Sequence, residues 1–155
     1  MEARVILEPY FEELQERFAE AGLKRVLRTK LRCVSHVHDA PRHFAGCMED
    51  GTIIYAAPQM IELPEETVMG ILAHELGHAA DFLYPGEFVL RGERIVRMEA
   101  DRHRMKGWRR RDADTVELSA DFIAEAVLEV PIGYRGPCQL QSIGAGGVRR
   151  PLGLR

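Results

Sequence analysis

The segment between Pro64 and Pro85 constrains the fold more than any other part of the chain. Pro64 is followed by two glutamates, which is a typical helix start, because the missing amide is harmless in the first turn and acids favour the positive end of the helix dipole. From there to Tyr84, apolar residues stand on nearly every face. A helix that is apolar all round is usually buried. We therefore predict a central helix over about 64–84 that the rest of the domain covers.

This predicted helix carries the sequence His74-Glu75-Leu76-Gly77-His78. On a helix, two histidines four residues apart share a face and can bind one zinc ion through imidazole nitrogens, with the intervening glutamate beside the open coordination position. Burial of two imidazoles and a carboxylate without partners would be strongly unfavourable. A metal ion supplies that partner, so the pattern predicts a zinc site.

A catalytic zinc site needs a third protein ligand and an open position for water. The metzincin pattern would place Gly at position 81 and His at position 84. The chain has Asp81 and Tyr84 there, which excludes that pattern. Asp81 follows His78 by three residues on the same helical side, where it is a candidate to orient an imidazole through the nitrogen that does not bind metal. A surface acid near the end of the helix is the alternative.

The best candidate for the third ligand is Glu117, on a helix predicted over about 112–130. The positions expected on the same helical face hold small or apolar residues and one acid: Ala120, Asp121, Ala124, Val127 and Leu128. In this prediction Glu117 therefore faces the core. Glu93, Glu99 and His103 are alternative ligands, although they lack this context.

The HELGH helix followed by Glu117-Leu-Ser-Ala-Asp121 resembles the gluzincin metallopeptidases, particularly the small minigluzincins and the ImmA/IrrE-type peptidases. The similarity extends over about residues 50–131. It implies an α+β, zincin-like fold, in which a small twisted sheet packs on the active-site helix and a second helix supplies a glutamate ligand. It also implies a set of roles: zinc held by His74, His78 and Glu117, Glu75 as general base, and Asp121 as support behind the ligands.

Other segments predict the elements around this pair of helices. Residues 3–20 repeat Leu and Phe at three- and four-residue spacing, which is typical of an amphipathic surface helix. Alternation over 25–38 predicts one or two strands. Segments 43–48 and 52–57 flank Glu49-Asp50-Gly51 and predict a hairpin. The arm 52–57 is either a strand at the rim of the cleft, which would pair with an extended substrate, or a hairpin arm of the core.

The remaining segments predict a helix and a tail. We expect a further helix over about 93–107 and a zincin-like domain over 1–132. Residues 133–155 hold four arginines and no acid among many glycines, and this predicts a Gly/Arg-rich C-terminal tail. Cys138 in this tail is a weak candidate to cap the zinc.

The site predicts a zinc-dependent peptidase that hydrolyses peptide bonds with a metal-activated water and Glu75 as general base, acting on a restricted protein substrate. One alternative is a zinc-stabilised regulatory or binding module without turnover. Another is a DNA-associated protease that uses the basic patch 102–111, which surrounds Trp108, although a solvated helix end explains that patch better. The presence of Glu75 beside the two histidines favours the enzyme over the binding module, because a structural zinc site needs no base there.

Composition narrows the partners and the compartment. Lys plus Arg is 21 against Asp plus Glu 24, so the net charge of -3 provides no global attraction for nucleic acid or an anionic membrane. The uncharged stretch 51–61 is far shorter than the ~20 apolar residues that cross a bilayer, and no secretory signal is visible. Three cysteines without CxxC spacing favour reduced thiols. We expect a cytoplasmic protein with a peptide or protein substrate and no membrane partner.

Overall fold

The structure is a computed structural model that describes residues 3–34, 44–91, 94–97 and 113–129. These residues form three helices and five strands, which confirms the predicted α+β class. In chain order the elements are α1 Ala3–Glu20, β1 Lys30–Cys33, β2 Ala45–Cys47, β3 Ile53–Ala56, α2 Glu65–Leu83, β4 Phe88–Arg91, β5 Arg94–Arg97 and α3 Ala113–Leu128. The predicted tail 133–155, the patch 102–111 and the alternative ligands Glu93, Glu99 and His103 lie outside the described residues.

Three strands form a mixed sheet in the order β1-β3-β2. β3 pairs in parallel with β1 and antiparallel with β2. The predicted hairpin between β2 and β3 is confirmed, and its turn contains Gly51 at φ 75°, a conformation that favours glycine. Asp50 stabilises the turn, since its Oδ1 accepts hydrogen bonds from the backbone N–H and the hydroxyl of Thr52 at 2.9 and 2.6 Å. Because β3 is hydrogen-bonded on both sides, the rim-strand interpretation of 52–57 is wrong, and this segment is the hairpin arm of the core.

Helix α1 confirms the first predicted helix, and its apolar stripe enters the core through Leu7, Phe11, Leu14 and Phe18. The segment after α1, predicted as one or two strands over 25–38, does not begin as a strand. A short 3₁₀ helix, Lys24–Arg28, occupies the first part of the predicted strand region 25–38, and the strand starts only at Lys30. The 3₁₀ helix buries Val26, and the side chain of Gln15 donates hydrogen bonds to the carbonyls of Val26 and Thr29 at 2.9 and 2.7 Å.

Helix α2 is the central helix, as predicted, and nearly all its residues from Thr67 to Asp81 are buried. Helix α3 packs against it along most of its length and confirms the helix predicted over 112–130. The five residues expected on the inner face of α3 are all buried: Ala120, Asp121, Ala124, Val127 and Leu128. Arg17 of α1 donates a hydrogen bond to the last carbonyl of α3, that of Leu128, at 3.1 Å. The sheet and α1 thus complete the cover around α2.

A strand pair replaces the start of the helix predicted over 93–107. β4 and β5 pair antiparallel, with Val89 opposite Val96 and Leu90 opposite Ile95 in the register of the two strands. Arg97 joins this pair to the rest of the domain through Glu87, 3.3 Å away, and through the carbonyl of Gly22, 2.9 Å away. Residues 98–107 lie outside the described ranges, so the helix prediction is wrong for 94–97 and untested beyond.

The described helices differ in length or apolarity from membrane-spanning helices. In the part of the chain that the structure describes, none of them combines the length and the apolarity needed to cross a bilayer.

Candidate metal centre

A glycine sets the separation between the two helices that carry the predicted ligands. A Cβ atom built on Gly77 of α2 would overlap the carbonyl oxygen of Ala120 and lie 2.8 Å from its carbonyl carbon, because the α3 backbone passes directly over this position. Gly77 follows His74 by one helical turn, and Ala120 follows Glu117 by one turn. The absence of a side chain at Gly77 therefore brings the HELGH segment and the glutamate of α3 together.

Three predicted ligand atoms converge at this crossing. The Oε2 atom of Glu117 lies 2.8 Å from Nε2 of His74 and 3.2 Å from Nε2 of His78. The sequence separations are 43 and 39 residues, so only the packing of α2 and α3 brings these atoms together. In a tetrahedral site with metal–ligand bonds of about 2.0–2.1 Å, neighbouring ligand atoms are about 3.3 Å apart. The observed separations are close to that value.

Both ring nitrogens of His74 face carboxylates. Its Nε2 faces Glu117, and its Nδ1 lies 3.5 Å from Oδ1 of Asp121, while the side chains of His74 and Asp121 are both fully buried. Burial by itself lowers the pKa of His74, but Asp121, Glu117 and the nearby charge of Glu75 raise it from 6.5 to about 9. Without a metal, the His74 ring can donate a hydrogen bond to both carboxylates only when both of its nitrogens are protonated, that is, as a buried imidazolium. With a metal on Nε2, the neutral ring donates its Nδ1–H towards Asp121, the usual arrangement behind a histidine ligand.

The Glu117 carboxylate is ionised in this environment. Burial raises the pKa of this carboxyl, but hydrogen bonds and charge from His74 and His78 outweigh that effect and hold its pKa well below the usual range. Its side chain is 23% exposed, whereas the side chain of His74 is fully buried. The Nδ1 atom of His78 is buried and makes no hydrogen bond within the described ranges. Two imidazoles and an ionised carboxylate form the donor set that zinc takes in open sites, so the residues present fit a zinc ion.

Glu75 completes a group that could hold a metal ion. Ligand atoms of His74, Glu75 and His78 all lie within 4.8 Å of one another, and the three residues are buried. Glu75 is 4% exposed. The Oε2 atom of Glu117 also lies within 4.8 Å of both Nε2 atoms, so the centre offers two carboxylates, those of Glu75 and Glu117.

Asp81 is buried near the C-terminal end of α2, at 4% exposure, which excludes the alternative that it is a surface acid.

The C-terminal half of α2 makes aromatic contacts. The His78 ring stacks on Phe82 with 6.3 Å between the ring centroids. The end of α2 is also held in place, since the guanidinium groups of Arg25 and Arg97 lie over the Tyr84 ring, 4.6 and 4.7 Å from its centroid. These contacts hold the C-terminal half of α2 in place.

The sequence did not point to Cys47, which the structure brings near the centre. Cys47 lies on β2 opposite Ile54, so its side chain shares the buried face of the sheet, which packs on α2. Burial and the charges of Glu75 and Asp50 raise the pKa of this thiol far above its ordinary value. The thiol is therefore protonated at neutral pH and is a poor metal ligand. The alternation of β2 could have placed Cys47 on the inner face, but only the packing shows Glu75 as its neighbour.

Comparison with known proteins adds no identification: no protein-family model, no curated protein and no solved structure matches this chain significantly.

Proposed function

We propose that this chain is a zinc-dependent peptidase of the gluzincin type, with His74, His78 and Glu117 as zinc ligands and Glu75 as general base. The observation that carries the proposal is the approach of one Glu117 oxygen to both Nε2 atoms, at 2.8 and 3.2 Å. Three protein ligands with one partly exposed side are typical of catalytic zinc sites, whereas structural sites are usually closed by four ligands. The packing of α3 on α2 beside a small sheet supports a zincin-like arrangement.

The residues around the metal divide the work of peptide hydrolysis. When bound, zinc supplies Lewis acidity, which activates water and polarises a substrate carbonyl. Glu75 accepts a proton from the attacking water at its carboxylate and passes it to the leaving amine nitrogen. Asp121 keeps the His74 ring in the tautomer that leaves Nε2 available to metal. Glu117 stays ionised because both histidines face it.

Strand β2 is the element best placed to bind an extended substrate. Within the described residues it is an edge strand, since its only strand partner is β3. The N–H of Met48 donates to the carbonyl of Ile53, and the N–H of Ala57 donates to the carbonyl of Phe44, so the main chain of Ala45 and Cys47 faces the other way. An extended peptide that pairs with this edge would run close to Glu75, the neighbour of Cys47.

The direct test compares the parent chain with Glu75→Gln by metal analysis and by cleavage of an unfolded protein substrate such as casein. We expect both proteins to retain one zinc per chain and the variant to lose roughly 10²-fold or more of its activity, because the base is gone while the ligands remain. Glu66→Gln, in the exposed first turn of α2, is the matched control and should cleave like the parent. Equal cleavage by Glu75→Gln and the parent would remove Glu75 as base.

The test also separates the enzyme from its alternative. A parent protein that binds zinc tightly but cleaves no unfolded protein or peptide would favour the zinc-stabilised binding module. The buried Glu75 beside an open metal site favours turnover, since a structural site has no use for a buried carboxylate that is not a ligand.

A further inference from the structure

Phe82 lies on the face of α2 that carries the metal centre. Residues three, four and seven apart share one face of a helix, and Glu75, His78 and Phe82 have this spacing. The contact between the His78 and Phe82 rings, with 6.3 Å between the centroids and 19° between the ring planes, agrees with this placement. The helical face that holds the proposed general base and one proposed ligand therefore continues into an aromatic side chain.

The neighbours of Phe82 on α2 face other parts of the domain. A Cβ atom built on Gly77 would meet the backbone of Ala120, so that side of α2 faces α3. A Cβ atom built on Gly51 would lie 2.8 Å from Cγ of Leu83, so the Leu83 side of α2 faces the turn between β2 and β3. At about 100° per residue around the helix, Phe82 is directed between these two sides. Phe82 therefore borders the space between α3 and the β2–β3 hairpin.

The Phe82 side chain is not part of the core. It is half-buried, and the packed core of the described residues includes the adjacent Leu83 but not Phe82. Part of its apolar surface is thus in contact with water, and an apolar group that covers this surface gains from the hydrophobic effect. Binding sites for ligands commonly combine such apolar surface with a few polar or metal-binding groups.

The position of Phe82 relative to the metal centre determines which part of a substrate it meets. The β2 edge runs alongside α2 towards Phe82, because Cys47 of β2 lies near Glu75 and the β2–β3 turn packs on Leu83. Phe82 follows His78 by four residues, which is about 6 Å along the helix axis. An extended peptide rises about 3.3 Å per residue, so the side chain that meets Phe82 lies about two residues from the bond at the metal.

We propose, on the basis of the peptidase function proposed above, that Phe82 is a specificity-determining residue. It selects substrates that have a large apolar side chain about two residues from the scissile bond. A phenylalanine, leucine or methionine side chain there would cover the exposed part of the Phe82 ring. A charged or polar side chain would have to give up water against an apolar surface, which is unfavourable.

Mapping of the cleavage sites in casein by mass spectrometry tests the proposal on the zinc-loaded full chain. In fragments made by the parent, we expect apolar residues to be enriched at one position about two residues from the cleaved bond. Phe82→Ser should abolish this enrichment, whereas Phe82→Leu should retain it, because leucine keeps an apolar surface. Val5→Ser removes an apolar side chain that is 58% exposed on α1, and as the matched control it should cleave like the parent.

Kinetics on a pair of peptides separates specificity from general activity. One peptide has the sequence of a preferred casein site, and the other has Ser in place of its apolar residue. On the first peptide, Phe82→Ser should lower kcat/KM roughly tenfold relative to the parent. On the second peptide the two proteins should be equally active, because the contact with Phe82 is already absent.

Zinc affinity and peptide binding provide readouts that do not depend on turnover. In a chelator competition, Phe82→Ser should bind zinc as the parent does, because Phe82 is not a ligand. In fluorescence anisotropy, the Glu75→Gln variant should bind a labelled Thr/Ser decapeptide with one central Phe at least roughly tenfold more tightly than its all-Thr/Ser counterpart. Adding Phe82→Ser to this variant should remove the difference.

The outcomes distinguish this inference from the function on which it rests. A parent that cleaves casein without an apolar preference, or a Phe82→Ser variant that keeps the preference, would overturn the inference and leave the peptidase intact. Equal binding of the two decapeptides by Glu75→Gln would do the same. Loss of zinc by Phe82→Ser, with an equal loss of activity on both peptides, would show that Phe82 only holds His78 in place. A zinc-loaded parent that cleaves nothing would overturn the proposed function, and this inference with it.

Discussion

The contact between Gly77 and Ala120 yields the sharpest prediction about the metal centre. In an exposed helix, replacing glycine by alanine stabilises the helix by about 1 kcal/mol. Here the new Cβ would lie 2.8 Å from the carbonyl carbon and 3.0 Å from the Cα of Ala120, and nearer still to the carbonyl oxygen. Carbon atoms in contact are about 3.5–4.0 Å apart, so α3 must retreat by roughly 1 Å. Overpacking of this kind costs about 1–3 kcal/mol, which exceeds the gain in helix propensity.

A retreat of α3 moves Glu117 away from both histidines. Metal–ligand distances tolerate only about 0.2 Å, so Gly77→Ala should lower zinc affinity at least about tenfold in a chelator competition. It should also lower the Tm by a few degrees, at about 2–4 °C per kcal/mol for a domain of this size. Gly46→Ala is the matched control, because its Cβ has no atom within 4 Å, and it should keep the zinc affinity. A Gly77→Ala protein with a higher Tm and unchanged zinc affinity would refute this reasoning.

Three further predictions concern individual groups. Asp121→Asn should lower zinc affinity roughly 10–100-fold in the same competition while Glu117 still binds, because the His74 tautomer is no longer fixed; unchanged affinity would contradict this role. In the metal-free protein, the pKa of His74 is raised from 6.5 to about 9, so its contribution to stability is present below about pH 6.5 and is lost as the pH rises through about 9. Urea unfolding across this range should show the loss, and His74→Gln should show less of it. Cys47 should react slowly with iodoacetamide at pH 8, and Glu75→Gln should accelerate the reaction, since one charge that raises the thiol pKa is removed; an unchanged rate would contradict their proximity.

The helices were predictable because their signals are local and periodic. The apolar stripe of α1, the proline and acids at the start of α2, and the inner face of α3 each follow from residue spacing, and each is present in the structure. The β2–β3 hairpin was predictable because an Asp-Gly turn between β-prone segments has few alternatives. The three helices and the hairpin therefore required no knowledge of tertiary contacts.

Elements that depend on tertiary pairing were predicted less well. The stretch from Arg94 carries apolar residues whose spacing suits either a helix or a strand, and only pairing with β4 selects the strand. The central position of β3 in the sheet could not be predicted either. Its parallel partner β1 is distant in sequence, and no local pattern encodes that pairing. The role of Gly77 also depends on tertiary packing, because only the position of Ala120 shows why no larger residue fits there.

For the metal centre, the candidate ligand residues could be predicted from the sequence, but the distances between them could not. The HELGH spacing defines His74 and His78 on one helical face, whereas Glu117 was chosen by its context on a separate helix. Its approach to both Nε2 atoms depends on the crossing of α2 and α3, which the sequence does not state. The position of Cys47 near Glu75 could not be predicted, because a lone cysteine on a short strand forms no sequence pattern.

The most direct test of the proposed zinc centre is the zinc affinity of the full chain, measured beside that of Glu117→Gln and of the surface control Glu66→Gln. We expect one zinc per chain in the parent and in the control, and at least roughly tenfold weaker binding in Glu117→Gln, because a charged ligand is lost from the centre. X-ray absorption of the parent should show two imidazole nitrogens and carboxylate oxygen at about 2.0–2.2 Å. Equal zinc affinity in Glu117→Gln and the parent, or a zinc ion bound through sulfur, would contradict the proposed centre.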